Sequence, residues 1–324
     1  MQVTVICTVK NEAANLPRLL DSLLAQTRPP DEMVITDGGS TDGTAAVLRA
    51  YAERVPWPLL VIAAPGANIA AGRNMAIRAA TGDVIASTDA GVWLEPNWLA
   101  DLVAPLADPG LDVVSGFFVP DPHGTFETAL GATTLPAVED VRPDRFIPSS
   151  RSVAFRKHAW QAVGGYPEWL DYCEDVIFDL ALRERFGNFA WAPASIAHFR
   201  PRPTLRAFAR QYYVYARGDG KANLWSRRHA IRYATYWGLL PALLVLGRRN
   251  PLFWALLPLG LAAMIWRPVR RLRQMTRGWP LRRKAQAGAW IPVIRVTGDV
   301  AKMVGYPVGV QWRQEHGPGH DLGE

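Results

Sequence analysis

Along roughly the first two hundred residues, apolar positions alternate between short β-branched runs and longer stretches of helical spacing, the pattern of strands and helices in a parallel-rich sheet. The runs at 3–8, 33–37, 59–63, 84–88 and 113–118 predict strands. Between them Leu16, Leu19, Leu20, Leu23 and Leu24 recur at helical spacing, as do Ala46, Val47, Ala50 and Tyr51. Pro96 and Pro105 bracket a further helix, proline being tolerated in a first turn. Residues 119–150 are rich in Pro, Asp and Thr, keep no steady period and predict a long loop of the kind that serves as a lid or binding loop. Order returns with an apolar run at 152–155, a Gly164-Gly165 turn and a helix over about 174–186; no internal repeat is visible.

The pattern changes after about residue 230. Two apolar arms, 233–246 and 252–266, flank Gly247-Arg248-Arg249-Asn250, and each is shorter than the ~20 residues of a perpendicular membrane span. Tyr233, Tyr236, Trp237, Trp254 and Trp266 are aromatics of the type that gathers at membrane interfaces, and a basic segment follows at 267–284. A buried helical hairpin docked on the main domain is one reading. Membrane contact is the expected one, through a re-entrant or tilted hairpin, because arginines at its tip argue against a simple full crossing. The expected division is therefore an α/β domain over 1–223, a hydrophobic helical hairpin with a basic flank over 224–288, and a C-terminal amphipathic segment and tail over 289–324.

Composition narrows the function. The 324-residue chain runs into its first apolar stretch without a basic leader or a cleavage site, so no secretory signal is expected. Cys7 and Cys173 are too few for a disulfide framework and lack metal-ligand spacing. Both observations point to a cytoplasmic catalytic domain that is membrane-associated through the hairpin. The net charge of +7 suits nucleic acid, anionic lipid or a phosphorylated substrate. It is concentrated late, in Arg200, Arg202, Arg206, Arg210 and Arg217 and again at 267–284. A nucleic-acid binder is disfavoured, because the basic patch coincides with the hydrophobic hairpin and no nucleic-acid motif is present.

No glycine-rich dinucleotide turn follows the first strand, where Lys10-Asn11-Glu12-Ala13-Ala14-Asn15 stands instead, and no Walker lysine motif occurs. The same segment lacks the glycine-rich basic loop that a nucleotidyltransferase making sugar nucleotides would want. The second strand ends in Asp37-Gly38-Gly39-Ser40-Thr41-Asp42-Gly43-Thr44, which sets a carboxylate at a strand's carboxyl end, where ligands of open α/β sheets bind. Asp37 as a turn cap, with Ser40 or Thr41 capping the helix, explains the same residues equally well. Asp89-Ala90-Gly91 repeats the arrangement after the run 84–88, so segments ending at Thr8, Asp37 and Asp89 would converge on one crevice.

With Val9-Lys10-Asn11-Glu12, the Asp37 segment, Gly72-Arg73-Asn74, Thr81-Gly82-Asp83, Thr88-Asp89-Ala90-Gly91, Gly164-Gly165-Tyr166 and Glu174-Asp175 in this order, the chain resembles family 2 glycosyltransferases over residues 1 to about 200. The resemblance implies the inverting group with the GT-A fold, a Rossmann-like mixed sheet flanked by helices. It implies that Thr8, Glu12, Asp37 and Arg73 hold a nucleotide-diphosphate sugar, with Glu174 beside them. Asp89 answers to the first acid of the family's Asp-x-Asp element, which binds Mg2+ or Mn2+ on the donor's diphosphate. Gly91 departs from that pattern at the second acidic place, although hard cations take oxygen ligands from one or two carboxylates, phosphates and water.

His198 sits where the family supplies a further metal ligand, and Asp175 where it supplies the general base. Bland alternatives stand beside each: a helix-surface ion pair for Arg73, a structural histidine at 198, and acidic charge in a helix's first turn for Glu174 and Asp175. Gln211-Tyr212-Tyr213-Val214-Tyr215-Ala216-Arg217 lies where processive members carry Gln-x-x-Arg-Trp, but Val214 and Tyr215 replace the final pair, which favours single addition over polymer synthesis. Arg217 either contacts the diphosphate or belongs to a basic helix face near lipid headgroups. Tyr212, Tyr213 and Tyr215 are expected to serve packing. The implied activity is transfer of a sugar, of the hexosyl type, to an acceptor hydroxyl with inversion. The hairpin suggests a lipid or lipid-linked acceptor. A lapsed GT-A domain acting as a membrane-bound interaction protein is the alternative, and Gly91 is its argument.

Overall fold

β1 (Val3–Val9), β2 (Glu32–Asp37), β3 (Leu59–Ala63) and β4 (Val84–Ser87) form on the β-branched runs, and α1 (Leu16–Leu24), α2 (Thr44–Ala52) and α3 (Ile69–Ala79) connect them. In this computed structural model, which describes residues 1–187 and 189–317, β1 pairs in parallel with β2 and β4, and β2 with β3. Side chains alternate across the sheet as the strand period requires. Val3, Val5, Cys7 and Val9 face a core with the leucines of α1, while Ile6, Val34 and Ile85 face a second core with Ala76 and Ile77 of α3. Leu16, Leu19, Leu20 and Leu23 of α1 are fully buried, and each contributes about 2 kcal/mol.

The rest of the sheet changes sense. β5 (Val92–Leu94), β6 (Val113–Pro120), β7 (Val153–Arg156) and β8 (Ala190–Phe199) complete the order β3-β2-β1-β4-β7-β6-β8-β5. β7 runs antiparallel to β4 and β6, and β5 antiparallel to β8. The sheet is thus mixed, as the resemblance implied. The helix expected between the prolines is α4 (Trp98–Val103), and it continues as a 3-10 turn over Ala104–Ala107.

Chain contacts divide the molecule into two units, Met1–Val119 with Ala137–Phe199, and Pro120–Pro136 with the chain from Arg200 on. These differ from the expected 1–223, 224–288 and 289–324. The expected loop at 119–150 contains α5 (Thr125–Thr134), which belongs to the second unit. Its threonines and Gly131 are weak helix formers, so no propensity signal marked it. Small residues suit it to close packing: Ala129 and Leu130 meet Phe208 and Ile294, and Ala132 meets Leu272, Ala287 and Ile291. Thr128, Thr133 and Thr134 each donate a hydroxyl to the carbonyl four residues back.

In the first unit α6 (Lys157–Ala162) and α7 (Glu174–Phe186) follow β7. The second unit holds α8 (Leu205–Lys221), α9 (Ser226–Tyr233), α10 (Leu240–Leu246), α11 (Leu252–Met275) and α12 (Leu281–His316). Between α9 and α10 the chain widens into a π-helix over Ala234–Leu239, next to Pro241, whose ring and missing N–H do not fit a regular turn. The second apolar arm is longer than expected, because the helix runs on through the basic residues to Met275. With 24 residues and a mean hydropathy of 1.5 in its most apolar window, α11 is long and apolar enough to cross a membrane by length and composition. The boundary expected at 288 falls inside α12, and the last residues of the expected tail lie outside the described residues.

Candidate functional site

The parallel strands β1, β2 and β4 end at one edge of the first unit's sheet, and the segments leaving them are stitched together. Asn11, in the left-handed region at φ 57, donates its N–H to Ser40 Oγ at 2.8 Å and accepts Thr41 N–H on Oδ1 at 2.8 Å. Glu12 N–H donates to Thr44 Oγ1 at 2.9 Å, and Glu12 Oε2 accepts from Asn15 Nδ2 at 2.7 Å. Asp37 Oδ1 accepts the N–H groups of Gly39 and Ser40 and the Ser40 hydroxyl at 3.1, 2.8 and 2.7 Å. Asp37 therefore caps its turn, and the capping fixes its carboxylate at the edge.

Thr8 lies against α3, where a Cβ on Gly72 would stand 2.8 Å from Thr8 Cγ2. Glycine at 72 lets the helix approach the sheet and delivers the next residue, Arg73, to the strand ends. Arg73 is 5% exposed at its side chain, with Nη2 3.0 Å from Asp89 Oδ1 and Nη1 2.7 Å from Glu174 Oε1. Burial works against its charge, but Asp89 and then Glu174 outweigh burial and hold the guanidinium more firmly charged than usual. Burial first and then the adjoining Asp175 push the Glu174 carboxyl up, against the pull of Arg73. The 2.7 Å contact keeps Glu174 on the Arg73 guanidinium, while burial and Asp175 make its carboxyl easier to protonate than a free one.

Asn74 ties α3 to the turn that precedes α7. Its Nδ2 donates to the Tyr166 carbonyl at 2.8 Å, and its Oδ1 accepts Tyr166 N–H and Trp160 Nε1–H, each at 2.9 Å. Gly165, at φ +81, packs so closely that a Cβ would stand 2.8 Å from Asn74 Oδ1. Cys173 enters α7 in the left-handed region at φ 66 and presents Glu174 and Asp175 at the helix N-terminus. Asp175 is half-buried and accepts Val176 N–H at 2.9 Å. One turn later Asp179 is fully buried, and neither of its carboxylate oxygens has a hydrogen-bond partner among the described residues. Burial, and after it the charge of Asp175, push its pKa well up.

Arg151, which sequence reasoning missed, places Nε 3.4 Å from Asp89 Oδ2. Its place follows from the strand register. In the β4–β7 ladder Val84 faces Arg156 and Ser87 faces Val153, and the same register continued by two residues sets Asp89 opposite Arg151. Cys7, buried behind the strand end, has its thiol pushed up by burial and then by Asp89, so it is held as a neutral packing group.

His198 is paired with a carboxylate of its own. Its Nε2 is 2.7 Å from Glu95 Oε1, and its ring stacks on Trp93 at 3.7 Å, a position set by the β5–β8 pairing of Trp93 with His198. That pairing competes with the metal-ligand role the resemblance implies for His198. Among the described residues no group of three or more His, Cys, Asp or Glu side chains is placed to hold a metal ion. Asp89, where the resemblance places a cation, has a side chain 31% exposed, and a Cβ at Gly91 would meet nothing within 4 Å; a hydrated cation held by this single carboxylate would share its oxygens with Arg73 and Arg151. Arg217 lies on α8 in the second unit and is described with that unit, as are Tyr212, packed on Phe208 at 4.4 Å, and Tyr215, which accepts from Gln211 Nε2 at 2.8 Å.

The family profile described as Glycosyl transferase family 2 matches residues 4–161. The chain is 25% identical over 228 residues to glycosyltransferase AglE of Haloferax volcanii, covering 69% of this chain and 74% of that one. It is 34% identical over 119 residues to the undecaprenyl-phosphate 4-deoxy-4-formamido-L-arabinose transferase of Pseudomonas fluorescens, covering 35% of this chain and 34% of that one. Among solved structures, mannosyltransferase PcManGT from Pyrobaculum calidifontis, in complex with GDP-Man and Mn2+, aligns with a TM-score of 0.56 at 21% identity, over 97% of this chain and 87% of that one.

Proposed function

The chain belongs to glycosyl transferase family 2 through a first unit with the GT-A fold, and from that premise we propose that it moves a sugar from a nucleotide-diphosphate sugar to an acceptor hydroxyl with inversion at the anomeric carbon. The observation that carries this reading is the double ion pair of Arg73. It joins Asp89, at the end of a central strand, to Glu174, beside Asp175 at the start of α7. One buried guanidinium thereby sets a donor-side carboxylate and a candidate base in fixed relation.

The chemistry follows from the groups present. Thr8, Glu12 and Asp37 line the edge where a nucleotide would lie, with the Asp37 carboxylate accepting from base or ribose. Asp175 takes the proton of the acceptor hydroxyl as its oxygen bonds to the anomeric carbon and the bond from that carbon to the diphosphate oxygen breaks. A single displacement inverts the configuration. Asp89 would hold Mg2+ or Mn2+, which when bound supplies positive charge at the departing diphosphate. His198 is left out of the proposed metal site because Glu95 holds its Nε2.

The acceptor class rests on the second unit. The apolar, exposed α11 and its basic continuation would hold the enzyme at a bilayer, where a lipid or lipid-linked hydroxyl is concentrated. The Pseudomonas relative, named for the lipid undecaprenyl phosphate, supports the lipid part of that class. The test is a screen of nucleotide sugars by thermal shift with and without Mn2+, followed by transfer assays on the stabilising donor. Asp175→Asn should bind donor normally and lose transfer about a hundredfold or more. Near-normal transfer in a folded Asp175→Asn protein would remove the base assignment. Failure of every donor to bind would favour a lapsed domain acting as a membrane-bound partner.

A further inference from the structure

Two guanidiniums meet the Asp89 carboxylate, and they differ in kind. Arg73 is 5% exposed and divided between Asp89 Oδ1 and Glu174, so its place is set by the core. Arg151 is 24% exposed, at the end of a strand ladder, with Nε 3.4 Å from Asp89 Oδ2. Its Nη1 donates to Ser149 Oγ at 3.1 Å, and its guanidinium lies 4.6 Å from the centre of the Phe199 ring. An arginine stacked on an aromatic face and bridged to a carboxylate keeps its plane, and its guanidinium is of the kind that matches phosphate oxygens. A Cβ at Gly91 would meet nothing within 4 Å, so the place of a second acid is open space.

We propose that Arg151 is a further donor-binding residue, a guanidinium that shares Asp89 with the cation and contacts the donor's diphosphate. The proposal rests on the donor reading given above. Its logic is charge balance. With one carboxylate where two would offset a divalent cation, the protein supplies less negative charge, and an arginine beside that carboxylate supplies positive charge suited to phosphate oxygens. The same arginine competes with a cation for Asp89 Oδ2. Loss of Arg151 should therefore move two affinities in opposite directions, which loss of packing alone would not do.

The test uses the full chain in detergent or lipid, with Mn2+ alone and with UDP, GDP, CDP and dTDP in the presence of Mn2+ as probes. Arg151→Gln should weaken the nucleoside diphosphate that wild type binds by about tenfold. It should also tighten Mn2+ alone, read by electron paramagnetic resonance of the free ion. Arg151→Lys, which keeps the charge, should restore most of the diphosphate affinity. Unchanged diphosphate affinity in a folded Arg151→Gln protein overturns the assignment, and so does a parallel loss of both affinities, which marks a structural role. Wild-type protein that binds none of the nucleoside diphosphates overturns the donor reading itself, and this inference with it.

Discussion

Asp179 is the residue whose environment most plainly works against stability. It is buried, its carboxylate oxygens have no hydrogen-bond partner among the described residues, and its pKa is pushed up by burial and by Asp175. In the unfolded chain an aspartate ionises near about pH 3.9. Above that pH, folding must therefore take up a proton at Asp179, and stability falls as pH rises until the folded carboxyl itself titrates. Asp179→Leu removes both the proton uptake and the unpartnered polar atoms. The first unit of this variant should be more stable by about 1–3 kcal/mol at pH 8, with the gain shrinking toward pH 4, as read from thermal melts across pH. A gain independent of pH would mean that the carboxyl is ionised in the fold. At this scale Asp37 and Asp89 were legible because strand ends can be read from periodicity. Arg151 and Asp179 were not. Arg151 needs the antiparallel register, and Asp179 has the spacing of an ordinary polar position on an amphipathic helix.

Elements were legible where hydrophobic spacing alone decides them and illegible where close packing does. The strands of the parallel half and α1 came from their own periodicity, whereas α5 is helical because small residues let it fit among α8, α11 and α12. The pairing of α8 with α12 shows the same physics. A Cβ at Gly305 or Gly309 would collide with the backbone carbonyl of Tyr213 or Arg217, and one at Gly220 with that of Tyr306. Backbone meets backbone there, so Gly309→Ala should force the helices apart and destabilise the second unit by about 1–3 kcal/mol. Gly288, on the same helix, has nothing within 4 Å of its would-be Cβ, and Gly288→Ala should stabilise by about 1 kcal/mol through propensity alone. Thermal melts followed by far-UV circular dichroism in detergent separate the two. Equal effects would show that the helix pair tolerates separation.

For the molecule as a whole, the open question is what covers the second unit's apolar surface. Trp237, Leu252, Leu259 and Trp266 are 76%, 72%, 65% and 64% exposed, and the window of α11 that could cross a membrane is only 6% buried. Arg267, Arg270, Arg271 and Arg273 lie along the same helix, so apolar and basic surface follow each other along one axis of about 36 Å. A soluble core helix of that composition would be buried, and this one is not. Insertion accounts for both features, with the apolar stretch in hydrocarbon and the arginines at anionic headgroups, where each contributes about 1 kcal/mol. The chain should therefore float with vesicles rich in phosphatidylglycerol and stay bound in high salt, because screening removes the electrostatic part alone. Leu256→Asp with Leu259→Asp should release it into the soluble fraction, while substituting Arg270 and Arg271 by Gln should weaken binding only at low salt. Wild-type chain recovered wholly soluble without detergent would remove the membrane reading, and with it the argument for a lipid-linked acceptor, while leaving the chemistry at Arg73, Asp89 and Asp175 untouched.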